Sequence, residues 1–121
     1  MRLFLCDDNA QYRQLARLVL ERAGHEIAGE AGNGEEALAR APAAAADVVL
    51  LDLNMPVMNG LDALPRLRAT LPEARLVVLT TGQGTGERRR ALAAGADAII
   101  VKPERVFTLA DELRTALAAL G

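Results

Sequence analysis

Val48-Val49-Leu50-Leu51-Asp52 decides the fold: four apolar residues in a row and then an acid. A run this short and this continuously apolar suits a strand buried on both sides of a parallel sheet. The pattern recurs outward in both directions. Leu3-Phe4-Leu5-Cys6 runs into Asp7-Asp8, Leu76-Val77-Val78-Leu79 into Thr80, and Ile99-Ile100-Val101 into Lys102. Strands are expected at about 2–6, 25–29, 47–51, 75–79 and 98–101. The second, His25-Glu26-Ile27-Ala28-Gly29, is more polar and suits an edge.

Helical periods fill the gaps between the strands, which predicts an α/β, doubly wound five-stranded parallel sheet with strand order 2-1-3-4-5. The first helix, near 10–23, carries Leu15, Leu18 and Val19 at helical spacing and should pack that stripe on the sheet, with Gly24 as a left-handed stop. Asn33-Gly34-Glu35-Glu36 opens the second, with Asn33 as cap and Glu36 reaching back. Pro42 should end it and leave Ala43-Ala44-Ala45-Ala46 as a connector. Pro65 interrupts the pattern Leu61, Leu64, Leu67, Leu71, which predicts a kink or late start in the third. The fifth starts near Thr108, with Asp111 three residues on and a core stripe of Leu109, Leu113, Ala116, Leu117 and Leu120.

Size and charge narrow the function. The 121 residues fit one domain, 1–121, with no linker or low-complexity break. A net charge of -2 gives no footprint for nucleic acid, and Arg88-Arg89-Arg90 is too short to reverse it. One cysteine excludes an internal disulfide, and Cys6 reads as a small buried apolar residue. No apolar stretch is long enough for a membrane span or a signal segment, so a cytoplasmic protein is expected. The chain has no serine and only His25 as histidine, which excludes a Ser-His-Asp triad and a two-histidine metal site.

If the apolar runs are parallel, their carboxyl ends meet where ligands bind in doubly wound sheets. Asp7, Asp8 and Asp52 would then share a pocket with Lys102 and Thr80. Close carboxylates repel one another unless a cation joins them or their pKa values rise, and oxygen ligands in an open site favour Mg2+. An ammonium and a hydroxyl beside the cation suit a phosphoryl group. Pro103 biases Lys102 toward extended backbone and permits a cis bond that would aim the side chain.

At these residues the chain resembles the receiver domain of two-component response regulators. The resemblance rests on Asp7-Asp8, on Leu51-Asp52-Leu53-Asn54-Met55-Pro56 with Asn59-Gly60 behind it, on Thr80, on Gly95-Ala96-Asp97 and on Lys102-Pro103. It implies a (βα)5 flavodoxin-like fold and a role for each residue. Asp52 would take a phosphoryl group from a sensor histidine kinase or a histidine phosphotransfer protein. Asp8, Asp52 and the main-chain carbonyl of Asn54 would hold Mg2+, with Asp7 acting mainly through a water. Lys102, the Thr80 hydroxyl and the Thr81 backbone N–H would bind phosphoryl oxygens. Thr80 would also be the switch, whose movement admits a residue three positions before the lysine. The readers would be a downstream protein target or a fused effector domain, and a phosphorylation-linked dimer is compatible with the scheme.

Three departures from the family pattern bear on the readout. Ile99 stands where members usually carry the swinging aromatic, Thr81 is larger than the usual residue, and Gly82-Gln83-Gly84-Thr85-Gly86 is unusually glycine-rich. That passage is expected to be mobile and to carry the change onto the face of the fourth helix, fifth strand and fifth helix. It is a poor nucleotide-binding turn, because it follows the fourth strand and lacks glycine at 87. Met55 and Met58 flank Pro56 where a kinase or phosphotransfer partner would arrive, while Tyr12 and Phe107 read as packing or surface residues.

Two other readings compete. A phosphohydrolase similar to the haloacid dehalogenase group needs a second carboxylate two residues after the nucleophile, where this chain has Asn54. A docking module would hold Mg2+ structurally and take no phosphate. The sequence is compatible with a stand-alone regulator and with the receiver part of a longer protein.

Overall fold

The computed structural model describes residues 1–81 and 85–121. Strands β1 (Arg2–Cys6), β2 (Glu26–Ala31), β3 (Val48–Asp52), β4 (Arg75–Thr80) and β5 (Ala98–Val101) form one parallel sheet in the order β2-β1-β3-β4-β5. Helices α1 (Ala10–Arg22), α2 (Gly34–Ala44), α3 (Gly60–Thr70), α4 (Thr85–Ala94) and α5 (Leu109–Ala119) alternate with the strands. This is the flavodoxin-like arrangement expected.

Side chains alternate across each strand, so the sheet divides the core in two. Phe4, Cys6, Val49, Leu51, Leu76 and Val78 face a cluster completed by Ala37, Ala63, Leu64, Leu67 and Ala91 from α2, α3 and α4. Leu3, Leu5, Val48, Leu50, Val77 and Leu79 face the other way, toward Ala16, Leu20, Leu109 and Leu113 of α1 and α5. Both layers are needed. Each fully buried Leu or Val contributes roughly 1.5–3 kcal/mol relative to exposure.

The rotation of α1 corrects the expected stripe. Leu15 and Leu18 are 52% and 49% exposed, Val19 is half-buried, and the sheet receives Ala16 and Leu20, with Tyr12 packed alongside. Polar anchors choose between these neighbouring stripes. Arg13 Nε lies 2.9 Å from Glu30 Oε1, Arg17 donates to Glu30 Oε2 at 2.6 Å, and both pairs turn that side of α1 toward edge strand β2.

Both internal prolines are accommodated. α2 runs through Pro42 instead of stopping before it, so Ala43 and Ala44 are helical, and the stop is Ala45 at φ 51. Pro42 sits in the last turn, where a lost backbone donor matters least, while Ala41 and Ala44 stay buried. α3 starts early, at Gly60, and continues across the exposed Pro65. Asn59 caps it, accepting from Asp62 N at 2.9 Å, as Asn33 caps α2 and Asn9 caps α1.

Smaller corrections concern the ends. Gly24 takes the left-handed conformation expected, φ 96, and Glu36 reaches back to Gly32 N, one residue before the cap. Thr108 does not cap α5 through its side chain; a 3-10 turn, Val106–Thr108, leads in, and its hydroxyl lies 3.0 Å from Glu112 Oε2. In α5 only Leu109 and Leu113 of the stripe are fully buried. β5, apolar in sequence, is the second edge and leaves Val101 exposed. The glycine passage falls partly on residues 82–84, outside the described residues, and α4 already begins at Thr85.

Candidate functional site

Register brings the strand ends together. Cys6 pairs with Leu51, Asp52 with Leu79 and Thr80 with Val101, so Asp7, Asp52, Thr80 and Lys102 all emerge at one edge of the sheet. Asp7, Asp52 and Thr80 are 4%, 5% and 4% exposed, and they are the buried polar residues among those described. The expected constellation is assembled.

Main-chain bonds fix each member. Asp7 N donates to Ala31 O at 3.0 Å, Leu53 N to Leu79 O at 3.2 Å, and Lys102 N to Thr80 O at 2.7 Å. That last bond aims Lys102 inward without a cis peptide, none being present among the described residues. Asp52 Oδ1 accepts from Asn54 N at 2.9 Å. Behind it, Gly60 N donates to Leu53 O at 3.0 Å, and a Cβ on Gly60 would stand 2.5 Å from the Asp52 carbonyl, so only glycine lets α3 start this close to the acid. Between them Met58 N bonds Pro56 O at 2.7 Å around Val57, whose φ of 65 is a strained value for an exposed β-branched residue.

Lys102 is the hub. Its Nζ lies 3.1 Å from Asp52 Oδ2, 2.7 Å from Asp7 Oδ2 and 4.2 Å from the centre of the Tyr12 ring. The ammonium–Asp7 contact is an ion pair off the hydrogen-bond line, which leaves Asp7 Oδ2 buried without a hydrogen bond. Burial alone would depress the Lys102 pKa, but the Asp7 and Asp52 carboxylates outweigh it and hold it raised. For Asp52 burial dominates and pushes its pKa up, against the opposing pull of the Asn54 N–H and Lys102. Burial also raises Tyr12 to about 12, and its hydroxyl is buried without a hydrogen bond.

The donor set fits a divalent cation. One carboxylate oxygen from each of Asp7, Asp8 and Asp52 lies within 4.8 Å of the others, with Asp8 open to solvent. Three carboxylates against one ammonium leave two negative charges for a cation to offset. Oxygen ligands of this kind match Mg2+.

The remaining expected residues are peripheral. Thr81 and the Asn54 side chain are exposed at the rim, and Ile99 is half-buried against the core on the side of α2, α3 and α4. Three contributors escape a reading by motif. Tyr12 lies under Lys102, Arg13 donates to the Asp7 carbonyl while pairing with Glu30, and Glu87 of α4 accepts from the Thr80 hydroxyl. The asparagine cap of α3 did have a signal, since Asn59-Gly60-Leu61-Asp62 repeats the pattern of Asn33-Gly34-Glu35-Glu36. Cys6 is buried, and burial pushes its thiol far up, which makes it inert.

Comparison with known proteins agrees with this geometry. A family model described as the response regulator receiver domain matches residues 3–114. The chain is 36% identical over 102 residues to the chemotaxis protein CheY of Thermotoga maritima, covering 84% of this chain and 85% of that protein. It is 42% identical over 105 residues to protein-glutamate methylesterase/protein-glutamine glutaminase 2 of Caulobacter vibrioides, of whose length it spans 30%. The solved structure of Vibrio cholerae chemotaxis protein CheY4 superposes with a TM-score of 0.84 at 32% identity, covering 95% of this chain and 97% of that one.

Proposed function

The chain belongs to the response regulator receiver family, CheY-like domains of two-component signalling, and on that premise we propose that Asp52 is a phosphoryl acceptor. The observation that carries this is the double grip on its buried carboxylate: Oδ1 is held by Asn54 N–H at 2.9 Å and Oδ2 by Lys102 at 3.1 Å. The carboxylate is thereby oriented, with partners that can follow the charge.

The chemistry is an in-line displacement. An Asp52 carboxylate oxygen forms the new O–P bond as the N–P bond of a donor phosphohistidine breaks, and the histidine nitrogen leaves with the electron pair. Lys102 exchanges a carboxylate for a phosphoryl oxygen, and the Thr80 hydroxyl and Thr81 N–H donate to the others. Mg2+, held by Asp8, Asp52 and the Asn54 carbonyl with Asp7 beside it, would neutralise charge on the transferring group. Burial of Asp52 strengthens these interactions.

The upstream partner is a sensor histidine kinase or a histidine phosphotransfer protein, and the signal passes to a protein target or a fused effector domain. Residues 1–121 act as one receiver domain in the cytoplasm, with a phosphorylation-linked dimer as one form of output. No described helix is long and apolar enough to cross a membrane. Incubation with acetyl phosphate and Mg2+ tests the reading. One labile phosphate per chain is expected; continuous release of phosphate would identify a phosphohydrolase, and no label would leave a docking module.

A further inference from the structure

The Thr80 hydroxyl is committed in this structure. It donates to Glu87 Oε1, in the first turn of α4. A hydroxyl has one proton to donate, so Thr80 cannot serve Glu87 and a phosphoryl oxygen together. Resting on the function proposed above, we propose that Glu87 is a positioning residue that latches Thr80 in the unphosphorylated chain. Phosphoryl entry at Asp52 then takes the hydroxyl from Glu87 and frees the first turn of α4.

Three features of the surroundings support the latch. Glu87 lines a cavity of about 340 Å3 with Asn54, Asn59, Leu61 and Arg90, so the released carboxylate has room to withdraw and a guanidinium to meet. The phosphoryl group adds negative charge on the side that Glu87 faces through Thr80, and like-charge repulsion pushes in the same direction. Ile99, half-buried against the core, has neither a ring to swing nor a hydroxyl to report. The Thr80–Glu87 bond is thus a direct polar link from the acid edge to α4.

Calorimetric titration of the intact chain with beryllofluoride and Mg2+, as a phosphoryl mimic, tests the latch. Glu87→Ala should bind the mimic about tenfold more tightly than the unaltered chain, the scale of a hydrogen bond to a charged group. Glu87→Gln, which keeps an acceptor and loses the charge, should fall between. In a Thr80→Ala background the Glu87→Ala gain should shrink to the part that charge repulsion alone supplies, which a merely structural role for Glu87 would not produce. Unchanged affinity in Glu87→Ala, or a gain undiminished by Thr80→Ala, overturns the latch while the phosphoacceptor reading stands. Failure of the unaltered chain to bind the mimic overturns both.

Discussion

Aspartates stand at both ends of the same sheet, and they behave in opposite ways. At the amino end, Asp47 Oδ2 accepts from Arg2 N at 2.8 Å, and Asp97 Oδ2 accepts from Leu76 N at 2.8 Å and Arg68 at 2.9 Å. These acids close the sheet by satisfying backbone donors. At the carboxyl end, Asp7 and Asp52 crowd one ammonium, Asp7 Oδ2 lacks a hydrogen bond, and Val57 holds a strained φ next door. Acids bonded to the backbone donors of neighbouring strands serve stability, whereas acids crowded on one ammonium are held ready for a ligand.

The contrast breaks most sharply at Asp52. Asp52→Asn should lose all phosphate label from acetyl phosphate. Because burial raises the Asp52 pKa, the folded chain disfavours its charge, and the variant should be at least as stable as the unaltered chain in metal-free urea unfolding at neutral pH. A label retained at position 52, or a large loss of stability, would break the comparison.

Asp97→Ala is the mirror experiment. It strips acceptors from Leu76 N–H and Arg68 together, so stability should fall by about 3 kcal/mol while labelling per folded molecule stays intact. Urea unfolding and label stoichiometry on the same sample separate the two ends.

Much of this division could be read in the chain beforehand. Strands buried on both faces must be continuously apolar, so a polar residue directly after one marks the sheet edge; Asp7, Asp52, Thr80 and Lys102 were legible for that reason. The rotation of α1 was not. Tyr12, Ala16 and Leu20 compete with Leu15, Leu18 and Val19 as apolar stripes, and the choice rests on Arg13 and Arg17 meeting Glu30 across 13 or more positions of sequence. Pro42 misled because the bias it puts on the preceding backbone is outweighed by burial of Ala41 and Ala44. Glu87 carries no motif, since its reach to Thr80 depends on how α4 is set against the sheet.

Smaller effects sharpen the comparison. Val57→Asn replaces a β-branched residue at positive φ with one that tolerates it, and should stabilise the fold by about 1 kcal/mol in urea. At the amino end, His25 precedes β2 with Nδ1 buried and unbonded, and burial lowers its pKa from 6.5. The folded state therefore prefers the neutral ring. Its contribution is fully present above about pH 6.5 and declines as pH falls through the lowered folded value. His25→Gln should flatten this weak dependence between about pH 7.5 and 5.5, since the ring is partly open to solvent.

The caps of α2 and α3 have a bearing on chemical ageing. Both are Asn-Gly pairs, 33–34 and 59–60, the dipeptide in which the glycine amide nitrogen most readily attacks the preceding side-chain amide to form a succinimide. Here Gly34 N is bonded to Met58 O at 2.8 Å and Gly60 N to Leu53 O at 3.0 Å, while each asparagine oxygen is held by a cap bond. The nucleophile and its target are both tied down. Deamidation at these pairs therefore waits on local unfolding, and the contacts that seat α3 behind Asp52 also set how long the chain keeps its original sequence.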